Sequence, residues 1–174
     1  MKKNVFILLL ALTWTVSTHS QTDMKRNEAH LNALTIMALK WVDVSYEYIL
    51  NEESSAGLAV TYKFSDTRPK LIPDQQYAVS VFYRYYISQQ NADGIFGEVF
   101  TMLNGGEVED DVAEGAEQTY TSYSDGAFGV GAGYKFISNR GLVLQGYLGI
   151  GRNLFDDNAP AAVFRAGVTI GYRF

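Results

Sequence analysis

Ala162-Val163-Phe164-Arg165-Ala166-Gly167-Val168-Thr169-Ile170-Gly171-Tyr172-Arg173-Phe174 is thirteen residues in strict period two. Phe164, Ala166, Val168, Ile170, Tyr172 and Phe174 fall on one parity, and Arg165, Gly167, Thr169, Gly171 and Arg173 on the other. A β-strand sends alternate side chains to opposite faces, so one face is wholly apolar and ends on two aromatics, while the other is small or cationic. At about 3.3 Å per residue the stretch reaches about 40 Å, which, tilted by about 45°, matches a hydrocarbon core of about 30 Å. Nothing after residue 20 approaches the roughly 18 consecutive apolar residues that a transmembrane helix requires. A membrane reading therefore rests on strands, and strands cross lipid only as a closed barrel, because every backbone polar group must be paired.

Working back from this segment, the same alternation recurs. Trp41 to Leu50 sets Val42, Val44, Tyr46, Tyr48 and Leu50 against Asp43, Ser45 and Glu47; Ala56 to Phe64 sets Leu58, Val60, Tyr62 and Phe64 against Gly57, Ala59, Thr61 and Lys63. Gln75 to Ile87 sets six apolar or aromatic residues against Ser80 and Arg84, and Gly94 to Leu103 puts Glu98 on the parity of Phe96, Phe100 and Met102. Ala127 to Ile137 and Gly141 to Gly151 repeat the pattern with glycines on the polar parity. A first strand is expected from Glu28 to Thr35, joined to the second by a tight apolar link at Ile36 to Leu39. Turns fall at Asn51 to Ser55, Ser88 to Asp93 and Ser138 to Arg140, and longer links at Ser65 to Asp74, Asn104 to Tyr123 and Asn153 to Pro160. The expectation is an all-β fold, an eight-stranded antiparallel up-and-down transmembrane β-barrel. Short periplasmic turns and long outer loops then place both termini on the periplasmic side.

The N-terminus agrees with export. Lys2 and Lys3 precede the apolar run Val5 to Leu12 and the polar stretch Ser17 to Gln21, the pattern of a signal peptide over residues 1–20 cleaved before Gln21, leaving a barrel over 21–174. The apolar run is too short to stay as an anchor. With no cysteine there is neither a lipidation site nor a disulfide framework. The net charge of −5 becomes −7 when Lys2 and Lys3 leave with the signal, and that balance speaks against a nucleic-acid partner.

The ending Ile170, Tyr172, Phe174 resembles the terminal strand by which the barrel assembly machinery recognises outer-membrane proteins. Together with Ser45-Tyr46-Glu47, Arg84-Tyr85-Tyr86 and Gly171-Tyr172-Arg173-Phe174, it makes the whole mature chain resemble the small outer-membrane β-barrel families of uncharacterised function in Gram-negative envelopes. The resemblance implies a fold and a location, the cell outer membrane, with its lipids and lipopolysaccharide as surroundings and a monomer as the unit. It implies no chemistry and no cofactor.

The inward parity collects Asp43, Glu47 and Glu98 against Lys63, Arg84, Lys135, Arg165 and Arg173. An eight-stranded barrel has an interior just wide enough for side chains to fill, so these read as paired lumen charges that plug it; an ion path would need an open lumen. Arg84 and Glu98 lie equally far from Asn91 at the centre of their hairpin and are expected to face each other. Barrel enzymes that modify lipid A need a His near the outer rim, whereas His30, the only histidine after the signal, falls at the periplasmic end and reads as a filled polar position. No Gly-x-Ser-x-Gly elbow occurs. Gly129, Gly131 and Gly133 lack the helix that a nucleotide loop requires and read instead as clearance for bulky lumen neighbours. The Asn104 to Tyr123 link carries Glu107, Glu109, Asp110, Asp111, Glu114 and Glu117 with no basic residue. It reads as a solvated acidic outer loop. Clustered carboxylates also suit Ca²⁺ or Mg²⁺, which bridge lipopolysaccharide phosphates, but the spacing has no ordered calcium-loop pattern.

Overall fold

A computed structural model of the chain describes residues 25–64, 74–87, 91–109 and 119–174, the side chains of residues 74 and 109 excepted. Eight antiparallel strands close into a barrel in sequence order: β1 Asn27–Asn32, β2 Trp41–Asn51, β3 Ser54–Lys63, β4 Asp74–Tyr86, β5 Gly94–Glu109, β6 Tyr120–Ile137, β7 Leu142–Asn153 and β8 Ala162–Arg173. Closure is made by β1 against β8, with Ala29 opposite Tyr172 and Leu31 opposite Ile170. Phe174 extends the seam, its N–H donating to the Asn27 carbonyl at 2.8 Å. The start of β1, the end of β8 and the three short turns share one end of the barrel, the terminal end; the other connections join the strands at the opposite, loop end.

Alternation decides what faces where. Along β8 the burial runs with period two, Val163, Arg165, Thr169 and Arg173 buried and Phe164, Val168, Ile170, Tyr172 exposed. Around the wall the outward positions are mostly aliphatic or aromatic, with Val81 56 % and Leu148 73 % exposed, while Glu28, Asp43, Glu47, Arg84, Glu98, Lys135, Arg165 and Arg173 are buried within. That is a globular protein turned inside out.

Two sequence expectations are corrected. The first strand does not run to Thr35: it ends at Asn32, and a π-helical turn, Thr35–Leu39, follows. Asn32 starts the turn, its side-chain oxygen accepting from the Thr35 N–H at 3.4 Å and its carbonyl from Thr35 Oγ1 at 3.1 Å. Lys40 ends it at a φ of 58°. The Asn104 to Tyr123 stretch is not all loop either. β5 and β6 continue as a ladder from Asn104 opposite Asp125 to Glu109 opposite Tyr120, so Glu107 and Glu109 stand on a strand. Gly105, read as loop, is needed there because a Cβ would meet the Tyr77 ring at 2.4 Å. Asp110, Asp111, Glu114 and Glu117 lie outside the described residues, as do the signal sequence and residues 65–73 and 88–90.

Candidate functional site

The lumen is filled. Glu47 on β2 is its centre: it accepts from Arg84 Nη1 at 2.5 Å, Lys135 Nζ at 2.6 Å, Tyr86 Oη at 2.7 Å and Ser55 Oγ at 2.5 Å. Arg84 and Glu98 are direct register partners on β4 and β5, bonded through Nε and Oε2 at 2.7 Å, and Arg84 also reaches Gln145 at 2.8 Å. Arg165 from β8 holds the other oxygen of Glu98. Lys135 links Glu47 to Glu28 at 2.8 Å, and Arg173 Nε donates to Glu28 at 2.5 Å. Asp43 accepts from Asn32 at 2.8 Å. Glu28, Asp43, Glu47 and Glu98 thus face Arg84, Lys135, Arg165 and Arg173, four carboxylates against four cations, all buried. Buried charges without such pairing would each be strongly destabilising.

Aromatic rings close the layer above and below. The Arg84 guanidinium lies 4.2 Å from the Phe82 ring centroid and 4.6 Å from that of Phe96, and Arg165 lies 4.7 Å from Phe82 and 4.9 Å from Tyr147. Phe82, Phe100, Met102 and Val163 form an apolar cluster toward the loop end; Ile49, Tyr86, Ala92, Phe96 and Tyr147 form another toward the terminal end. The glycines of β6 make room for these rings: a Cβ on Gly129 would meet Phe100 at 2.3 Å and one on Gly133 would meet Phe96 at 2.5 Å. The terminal mouth is covered by the β4–β5 turn, whose Asn91 and Ala92 carbonyls accept from Arg173 at 2.7 and 3.3 Å.

Lys63 stands apart. It pairs in register with Trp41 at the loop end and is half-buried, six residues along β3 from Gly57 opposite Glu47. Glu28 and His30 belong to the cluster although the sequence reading left them out; both share the parity of Asn32, and that parity was the available signal. His30 Nε2 lies 3.0 Å from Glu28 and 3.8 Å from Glu47. Glu28, His30 and Glu47 bring ligand atoms within 4.8 Å of one another, the spacing of a metal site. Lys135 Nζ already bridges the two carboxylates, so the position of a divalent cation is taken by an ammonium. At the loop end Asp125 accepts from the N–H groups of Gly126, Phe155 and Asp156 at 2.6 to 3.1 Å, which folds the β7–β8 loop over the rim.

This arrangement is suited to holding a wall rigidly. No curated protein matches the sequence. Among solved structures, the N-terminal β-barrel domain of Pseudomonas aeruginosa OprF is similar, with 15% sequence identity and a TM-score of 0.47, covering 86% of this chain and 96% of that one. Residues 5–161 match the family model described as Protein of unknown function (DUF3575). The chain belongs to the DUF3575 family.

Proposed function

We propose that this protein is an integral outer-membrane β-barrel, without catalytic activity, that contributes to envelope structure or surface interaction. The observation that carries the reading is the inversion of polarity: an apolar outer wall all round and an ionic interior. Water around such a wall would leave an apolar surface far larger than soluble monomers expose, whereas lipid accepts it, and the eight strands pair in one closed order. Residues 1–20 act as the signal peptide, residues 21–174 insert as a monomer, and the assembly machinery reads the Phe174, Tyr172, Ile170 ending. The termini then face the periplasm, and the longer connections, among them the acidic tip of the β5–β6 hairpin, face outward among lipopolysaccharide.

Phe155 supports this placement of the rim. Its ring packs over Gly126 on the outer wall, where a Cβ would stand 2.8 Å from it, so the β7–β8 loop lays an aromatic at the height of an interfacial belt. Sodium carbonate washing of isolated membranes tests the reading: the protein is expected to stay in the pellet, and its release would overturn it. A lipid-modifying enzyme is the competing function. Mass spectrometry of lipid A from deletion and overexpressing cells is expected to show one unchanged acyl pattern, and an altered pattern would replace the non-catalytic reading.

A further inference from the structure

A cavity of about 30 Å³ lies at the loop-end mouth of the barrel. Its buried lining is Trp41 at the start of β2, Asn104 on β5, Tyr123 on β6 and Val163 at the start of β8. Half-buried Gln75, Pro160 and Ala162 form its lip. Among the described residues that line it none is charged. The space takes about two water-sized groups.

Two of the buried lining residues carry polar atoms without a partner, the Trp41 indole N–H and the Asn104 Oδ1. Such atoms are uncommon in folded proteins, and here a donor and an acceptor line one small space. The orientation of the Asn104 amide is set from behind. Asn153 Nδ2 donates to the Pro160 carbonyl at 2.8 Å, which leaves Asn153 Oδ1 to accept from Asn104 Nδ2 at 2.9 Å. Asn104 Nδ2 also donates to the Asp125 carbonyl at 3.3 Å. Turning the amide over would set oxygen against oxygen at both contacts, so Oδ1 is held as the free acceptor. At the lip, Gln75 Nε2 reaches the Tyr77 carbonyl at 3.5 Å and Met102 Sδ at 3.7 Å, both at the limit of a hydrogen bond, so its amide can serve a further ligand group.

We propose that this cavity is a binding site for a neutral sugar, and that the group it takes in is the exocyclic hydroxymethyl of a hexose. A hydroxyl accepts and donates at once, so a single group satisfies both orphans, accepting from Trp41 and donating to Asn104. Its carbon and oxygen fill a space of two water-sized groups, with the carbon against Val163 and Pro160. The ring is too large to follow and stays in the mouth, its remaining hydroxyls within reach of Gln75. A lining without charge selects a neutral ligand over a phosphate or an ammonium. The site stands on the cavity and its two orphaned atoms and does not depend on the membrane reading.

The protein carries its own reporter. Trp14 and Trp41 are the two tryptophans of the chain, so Trp14→Phe leaves the emission of Trp41 alone. The full chain with that change, folded in detergent micelles and checked by heat-modifiable gel mobility, is titrated with the methyl glycosides of glucose, galactose and mannose. At least one is expected to shift the Trp41 emission saturably, and the matching 6-deoxy glycoside, which has a methyl in place of the hydroxymethyl, to bind at least about tenfold more weakly. Equal binding of the two would overturn the hydroxymethyl assignment. No saturable shift with any of the three up to about 100 mM, far above millimolar affinity, would mean that the cavity holds water only and would overturn the site. Val163→Ile keeps the branched side chain and adds one methyl to the cavity, and the folded variant is expected to bind about tenfold more weakly. Undiminished binding there would overturn the placement of the ligand. The source of the sugar is read in vesicles, the one arm that rests on the outer-membrane reading. Emission already shifted in vesicles of lipopolysaccharide with a hexose core, and not in vesicles of lipid A alone, assigns the sugar to the surrounding membrane; the same glycoside titration in both assigns it to a soluble glycan.

Discussion

Glu47 shows how much one lumen side chain carries. It accepts from Arg84, Lys135, Tyr86 and Ser55, so Glu47→Gln leaves two buried cations facing too little negative charge. Breaking a buried pair from one side costs about 3–5 kcal/mol. The expected result is a lower urea midpoint for the refolded protein, with part of the loss recovered in the Glu47→Gln/Lys135→Met double variant. The glycines give a sharper contrast. Gly129→Ala drives a Cβ to 2.3 Å from the Phe100 ring and 2.6 Å from the Ile150 carbonyl, an overpacking that costs about 1–3 kcal/mol. Gly97→Ala places its Cβ outward with nothing within 4 Å and is expected to stay within about 0.5 kcal/mol of the parent in the same unfolding series. At this scale parity was informative even in the least regular strand, as at Glu98, whose place among Phe96, Phe100 and Met102 put it inside. Glu28 escaped because its strand is only six residues long and its alternation is read from few positions.

Among the elements, β8 is both the clearest in sequence and the one that closes the wall. Phe174, which follows it, is bonded to Asn27 through both backbone groups, and its ring faces outward. Phe174→Lys is expected to leave export unimpaired and to reduce the heat-modifiable, folded fraction in the outer membrane; a normal folded fraction would count against Phe174 as an assembly signal. The β5–β6 hairpin behaves differently along its length. Replacing residues 110–118 by a short Gly/Ser turn is expected to change stability little, since closure entropy varies slowly with loop length. Cutting back to Asn104 and Tyr123 removes buried side chains, among them the Asn104 to Asn153 bond at 2.9 Å, and is expected to lower the unfolding midpoint clearly. The extension of this hairpin was hidden because Gly105, Gly106 and acidic residues read as loop, whereas the ring of Tyr77 uses the missing Cβ. The π turn was hidden for another reason: Ile36 to Leu39 is an apolar run too short for its period to be read.

For the molecule as a whole, the paired charges and the aromatic layers of the described residues fill the barrel interior. Planar bilayers containing the refolded protein are expected to show no steady conductance steps at neutral pH. Discrete openings would mean that the cluster around Glu47 rearranges into a pore. Fold and inside-out polarity were legible from alternation alone, because period two reports which side of a closed sheet a residue takes. The cavity at the loop end was not, because Trp41, Asn104 and Val163 meet only through pairing between distant strands, which has no period of its own.

The strands are unequal. β1 has six residues and β6 eighteen, about 20 Å against about 60 Å of extended chain. A bilayer surrounding this protein therefore meets a high wall on one flank and a low one on the other. Lipids beside the low flank must tilt or shorten to match it, at a cost of fractions of a kcal/mol per Å. With the barrel embedded as proposed, the lipid beside residues 33–40 would meet the low flank, and lipid composition would then act on the barrel through the height of its rim.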